Sequence, residues 1–283
     1  MAEASPKRVR TRHFARAKDQ GIKITGLTSY DVLTAQIFDE AGIDFLLVGD
    51  SAGNTVLGYD TTLPVTIDDL IPLTRGVVSG VKRALVVADM PFGSYETGPD
   101  EALHTAFRFM KETGAHAVKL EGGVRSAEQI RRIVEAGIPV MAHIGFTPQS
   151  EHGLGGHVIQ GRGDAADQLL ADAHAVEEAG AFAVVLEMVP AEAAQRVTAE
   201  LSIPTISVGG GPHCDGQLVV WTDWAGLAGG RIPKFVKQYA NLRQVLTDAA
   251  LAYKADVESG AYPDEQHSYS DTTAEQALQE RAN

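Results

Sequence analysis

Eight times along this chain a short apolar run, rich in β-branched residues, gives way to a longer amphipathic stretch. The runs are ITGLTS (24–29), FLLVGD (45–50), ALVVAD (84–89), AVKLEG (117–122), VMAHIG (140–145), AVVLEM (183–188), PTISVG (204–209) and LVVWTD (218–223). Between them DVLTAQIFDEAG, DEALHTAFRFMKETG, SAEQIRRIVEAG and DAADQLLADAHAVEEAG place apolar residues three and four apart and stop at glycine, as amphipathic helices do. Strands buried on both faces and alternating with helices make a parallel sheet. Eight such units in 283 residues predict a closed (β/α)8 TIM barrel. An open doubly wound sheet would have fewer strands and a glycine-rich turn after the first, where this chain has Tyr30 and Asp31. No proline- or serine-rich linker interrupts the pattern. The expectation is therefore a single α/β domain over 1–283, with the barrel at about 24–250. It carries an N-terminal helix, a C-terminal helical extension and a peripheral polar tail at about 270–283.

Charge and cysteine content narrow the function classes. A formal net charge of -13 repels phosphate backbones and argues against a nucleic-acid partner. A single cysteine, Cys214, precludes an internal disulfide and fits a reducing cytoplasm. Cys214 has no base at a meaningful spacing and reads as structural or incidental. No apolar run approaches the ~18 residues of a membrane span. The basic N-terminal stretch MAEASPKRVRTRHFARAK lacks the apolar core of a signal peptide and reads as a solvated leading helix.

Active sites of such barrels lie at the C-terminal ends of the strands. Those ends supply Asp50, Asp89, Lys119 with Glu121, His143, and Glu187 from strands two to six in turn. Acids converging on one mouth would repel one another, and a divalent cation relieves that repulsion. Oxygen donors with few nitrogens or sulfurs favour Mg²⁺. Each residue also has a plainer reading. Asp50 and Asp89 could each cap a helix, Lys119 could pair with Glu121 or Asp89, and His143 could be a packed core histidine. Ser51 could bond its own helix or a ligand. The wholly apolar neighbours of Glu187 suit a carboxylate of raised pKa acting as a base. The glycine-rich loop 146–163 suits a mobile cover over the mouth, and GGGP (209–212) is either an anion-binding turn or simply a tight one.

LTSYD (27–31), VGDS (48–51), GYDTTLPVT (58–66), ADMPFGSY (88–95), VKLEGG (118–123), HIGFTPQ (143–149), LGGHVIQGR (154–162), LEMVP (186–190) and GPHCDGQLVV (211–220) occur in order. In this the chain resembles the ketopantoate hydroxymethyltransferase family from about Thr28 to Tyr269. The resemblance implies a Mg²⁺-dependent barrel enzyme of pantothenate synthesis, with one ion per subunit. Such an enzyme moves a hydroxymethyl group from 5,10-methylenetetrahydrofolate to 3-methyl-2-oxobutanoate. It further implies Asp50, Asp89 and Glu121 at the metal, Asp50, Ser51, Asp89 and Lys119 at the keto acid, and Glu187 as proton acceptor. A homodecamer is implied as well. SVGGG (207–211) and the lid residues Gly153 and His157 depart from the family pattern and bear on folate affinity and lid motion. Two other readings compete: a lyase or mutase of the isocitrate lyase type, and a barrel kept only for binding. The first lacks its KKCGH-like cysteine loop here, and the complete acid set speaks against the second.

Overall fold

Phe14 plugs one end of a barrel whose eight strands close on themselves. The structure is a computed structural model and describes residues 7–269; the polar tail at 270–283 lies outside that range. A leading helix, α1 (Thr11–Asp19), precedes β1 (Ile24–Thr28). Then follow α2 (Val32–Glu40), β2 (Phe45–Val48), α3 (Ile67–Gly80), β3 (Leu85–Asp89), α4 (Pro99–Thr113) and β4 (Ala117–Glu121). The second half runs α5 (Ala127–Glu135), β5 (Val140–Gly145), α6 (Glu151–Leu154), α7 (Ala165–Glu178), β6 (Ala183–Glu187), α8 (Ala191–Glu200), β7 (Thr205–Val208) and β8 (Gly216–Val219). Two helices follow, α9 (Trp221–Trp224) and α10 (Leu242–Ser259). All neighbouring strands pair in parallel, and β8 returns to β1, which excludes the open sheet.

The period of two along each strand sorts its residues. Phe45, Leu47, Leu85, Val87, Ala117, Met141, Ala183 and Val185 fill the barrel's interior. Leu46, Val48 and Val86, and likewise Val118, Leu120, Ala142, Val184 and Leu186, point outward under the helices. Gly26 makes room inside, because a Cβ there would lie 2.3 Å from the Phe45 ring. At the N-terminal end Phe14 packs tilted against Phe45 and edge-to-face against Phe182, with ring centroids 5.6 and 5.2 Å apart. The leading helix is thus not merely solvated. Its one aromatic residue closes the barrel floor, where open apolar ends would otherwise face water.

Two further expectations are corrected. The eighth strand is Gly216–Val219 rather than 218–223, since Trp221 donates its backbone N–H to Thr28 Oγ1 and starts the turn of α9 instead of extending the ladder. The stretch 146–163 after β5, expected as a loop, is partly helical: it opens with a helical turn, Pro148–Ser150, in which Gln149 is buried, and runs on into α6. Helix α10 has no buried residue, although Val245, Leu246, Leu251 and Tyr253 lie on it.

Candidate active site

The alternation that packs the barrel also aims its last layer into the mouth. In register, Asp89 lies beside Lys119, Glu121 beside His143, and Glu187 beside Gly145. Continuing the inward series Leu85, Val87 puts Asp89 inside. Ala117 does so for Lys119 and Glu121, Met141 for His143, and Ala183 with Val185 for Glu187. Asp50 reaches the same space from the turn after β2. The six residues line one cavity of about 1360 Å³.

Neither aspartate caps a helix. The cap near the first strand is Asp31, which accepts from Leu33 N and Thr34 N. Asp50 Oδ2 instead accepts from Gln149 Nε2 at 2.9 Å, and the Asp50 backbone N–H donates to Asp89 Oδ2 at 3.1 Å. Lys119 Nζ stands 2.8 Å from Asp89 Oδ1. That oxygen counts as unpartnered by hydrogen-bond geometry, so the contact is a close but misaligned ion pair. The ion pair expected of Lys119 is therefore present, and it sits within the acid cluster. Ser51 Oγ shares a hydrogen bond of 2.8 Å with Tyr30 Oη.

His143 joins the site. Its Nδ1 lies 3.3 Å from Lys119 Nζ and 3.5 Å from Glu121 Oε1, and its Nε2 lies 3.4 Å from Glu187 Oε2. Burial first, and Lys119 second, push its pKa down, so a neutral imidazole stands between the lysine and the outermost glutamate. Burial opposes the charge on Lys119, but Asp89, Glu121 and Asp50 outweigh it and keep the ammonium protonated. Asp50 is pushed up to about 7 by burial and then by Asp89. Glu121 is raised well above the ordinary glutamate range by burial and then by Asp50. One cation among several acids leaves the cluster short of positive charge.

Two residues escaped sequence reasoning. Gln149 accepts from Tyr95 Oη at 2.5 Å, donates its side-chain amide to Asp50 and Met90 O, and donates its backbone N–H to Glu121 Oε2 at 3.1 Å. Tyr95 Oη in turn accepts from Glu121 N at 3.2 Å. Both stand in the ordered segments HIGFTPQ and ADMPFGSY, but nothing in their spacing links them to the acids. GGGP forms a tight turn: Gly209 has φ +78°, a Cβ on it would strike the Phe235 ring, and Gly210 N–H is already bonded to Ser207 Oγ.

Among the described residues no three side chains of His, Cys, Asp and Glu form a ready-made metal cage. The donor chemistry still fits a hard cation. Glu121 Oε1 and Asp89 Oδ1 are buried oxygens that accept no hydrogen bond. Mg²⁺ ordinarily takes only one or two protein carboxylates and completes its shell with water and substrate oxygens.

A closed parallel barrel with its ionisable residues gathered at the C-terminal strand ends defines a (β/α)8-barrel enzyme. Its fold is that of phosphonopyruvate hydrolase, solved as a complex with oxalate and Mg²⁺. That structure is 13% identical at a TM-score of 0.59 and covers 92% of this chain and 93% of its own. Phosphoenolpyruvate phosphomutase from Streptomyces platensis subsp. rosaceus is 17% identical at 0.60, over 96% and 97%. The chain belongs to the ketopantoate hydroxymethyltransferase family, whose profile it matches over residues 8–265. It is 75% identical to the 3-methyl-2-oxobutanoate hydroxymethyltransferase of Leifsonia xyli subsp. xyli, over 95% of this chain and 97% of that protein. To the enzyme of the same name from Corynebacterium glutamicum it is 60% identical, over 95% and 100%. It is a hydroxymethyl-transferring enzyme.

Proposed function

We propose that this enzyme transfers a hydroxymethyl group from 5,10-methylenetetrahydrofolate to 3-methyl-2-oxobutanoate, giving 2-dehydropantoate for pantothenate and coenzyme A synthesis, with Mg²⁺ as its cofactor. One observation carries the reading. The side chains of Asp89, Glu121 and Lys119 are at most 4% exposed, whereas that of Glu187 is 20% exposed and faces the same mouth. Buried charges hold a ligand; a more open carboxylate can meet substrate and move a proton.

Asp50 and Asp89, with Glu121 behind them, would hold the metal. When bound, Mg²⁺ supplies Lewis-acid stabilisation of the negative charge that grows on the keto acid. Lys119 adds a fixed positive charge beside that oxygen, and Ser51, set by Tyr30, offers a hydroxyl to the keto acid. Glu187 takes the C3 proton as the C–H electron pair moves into the enolate. Water adds to the donor's methylene carbon and both of its C–N bonds break, so tetrahydrofolate leaves with hydrogens on N5 and N10 and the carbon remains as formaldehyde. The enolate carbon attacks that carbon, and the C=O electron pair becomes an alkoxide that takes up the proton Glu187 removed. Neutral His143, between Lys119 and Glu187, keeps the two apart, so Glu187 is not consumed in an ion pair.

Proton removal precedes carbon–carbon bond formation and needs no folate. With Mg²⁺ alone the enzyme should exchange the substrate's C3 hydrogen with solvent deuterium. Glu187→Gln should slow exchange and turnover together by about 10²–10⁴-fold, with keto-acid binding nearly unchanged. Native-rate exchange in that variant would place the base elsewhere.

The exposed apolar residues of α10 also favour a homo-oligomer, a decamer by family resemblance, because such a face is usually covered. Sedimentation at micromolar protein should show no monomer; a wholly monomeric sample would remove that reading. Cytoplasmic residence fits the single, buried Cys214 and is checked by cell fractionation.

A further inference from the structure

The ionisable residues of the mouth occupy only part of its circumference. They come from the turn after β2 and from β3 to β6. On the other side β7, β8 and β1 end in Val208, Val219 and Thr28, which line the same cavity. At about 1360 Å³ that cavity exceeds the ~300–1,000 Å³ of a drug-sized ligand site. A five-carbon keto acid beside Asp89 and Lys119 therefore leaves the apolar side open for something larger.

That side carries one carboxylate. Asp223, in the single turn of α9 just past β8, is half-buried and lines the cavity. Among the described residues it has neither an ion-pair partner nor a hydrogen bond to its carboxylate, and burial alone raises its pKa. Further along the chain Arg231, Lys234 and Arg243 line the same cavity, and among the described residues none is paired with an acid. Arg243 is fixed by its Nε donating to Leu227 O at 3.1 Å, which leaves the guanidinium's remaining nitrogens for a ligand. The rim's other acids lie elsewhere on it: Asp60 in the loop after β2, and Glu151 at the start of α6 after β5. In a chain of net charge -13, three unpaired cations on one stretch of rim suit an anionic ligand.

We propose that the β7–β8–β1 side of the mouth is the seat of the folate donor, with Asp223 receiving the pterin ring and Arg231, Lys234 and Arg243 receiving its glutamate tail. The proposal rests on the reading that folate is the one-carbon donor. A pterin is flat and apolar on its faces, which suits the strand ends. Its 2-amino and N3–H groups form a donor pair that a carboxylate accepts in two parallel hydrogen bonds. Its tail ends in carboxylates, which cations on a partly exposed rim attract. Seated there, opposite β3 and β4, the methylene carbon faces the enolate carbon across the barrel axis.

The test compares donor KM for the native enzyme, Asp223→Asn and the pair Arg231→Ala/Lys234→Ala. Each is run with 5,10-methylenetetrahydrofolate, its triglutamate form and the tailless tetrahydropteroate analogue. Asp223→Asn turns one acceptor into a donor and should raise KM for all three donors by roughly tenfold or more, leaving keto-acid KM unchanged. The rim pair should raise KM several-fold for the tailed donors and most for the triglutamate. It should spare the tailless one, and the effect should fade in ~1 M salt. Arg231→Lys/Lys234→Arg should restore most of the loss. If Asp223→Asn melts early, the exposed rim pair carries the test alone. An unmoved donor KM in both variants, or a rim penalty independent of the tail, overturns the seat. A native enzyme that exchanges deuterium but never turns over with methylenetetrahydrofolate overturns the donor reading itself, and this proposal with it.

Discussion

Gln149 Nε2 stands 2.9 Å from Asp50 Oδ2, joining two residues 99 positions apart in the chain. The same side chain accepts from Tyr95, and its backbone N–H holds Glu121. The first turn of the loop over the mouth thus sets the position of two of the acids. Gln149→Ala leaves the buried Asp50 carboxylate without its hydrogen-bond donor and the Tyr95 hydroxyl without its acceptor, at about 1–3 kcal/mol. Calorimetric titration with keto acid and Mg²⁺ should show affinity falling about ten- to a hundredfold, and unchanged affinity would make Gln149 mere packing. Gln149→Glu should be worse, since it adds a carboxylate to a cluster already rich in them.

Asp50→Ala and Asp89→Ala should both abolish tight, metal-dependent keto-acid binding, but with opposite effects on stability. Asp89 is the one carboxylate in ion-pair contact with Lys119 among the described residues, and removing it leaves the ammonium only the more distant Glu121 and Asp50, at up to about 3–5 kcal/mol. Asp50 is itself pushed up to about 7, so its removal relieves repulsion in the metal-free protein. Thermal melts without metal should therefore fall for Asp89→Ala and hold or rise for Asp50→Ala. Tight binding by both variants would refute the ligand set.

His116 should make the protein acid-labile independently of the active site. Its Nδ1 accepts from Val86 N at 2.9 Å on the outside of β3. Burial, then Arg8 and Arg10, lower its pKa from 6.5 to about 4. A base with a depressed folded pKa contributes stability that is intact above 6.5 and is lost as pH falls through about 4, because the unfolded chain binds the proton first. With a discount for its partial exposure this amounts to about 1–3 kcal/mol. Denaturant unfolding from pH 7 to pH 4 should show that loss in the native chain and not in His116→Asn, whose amide oxygen can still accept from Val86. An equal pH slope in both would assign the acid lability to other groups.

The barrel and most of its charged mouth follow from local pattern. Alternation with period two states which face each strand residue takes, so the inward series Leu85–Val87–Asp89 and Ala117–Lys119–Glu121 was already readable from adjacent residues. Once eight such strands close, their ends must converge, which is why the acids and Lys119 were legible as one cluster. What the chain could not disclose locally is which distant groups meet there. His143 could equally have been core; only the packing of β4, β5 and β6 side by side sets it between Lys119 and Glu187. Gln149 and Tyr95 carry no periodic signal, because they lie in loops whose path depends on long-range contacts. Asp223 looked like the last residue of a strand until Trp221 N–H went to Thr28 instead of the ladder. Period and polarity act between neighbours in sequence and decide the faces; hydrogen bonds across 26 to 99 residues form only after the barrel has closed, and they decide the site.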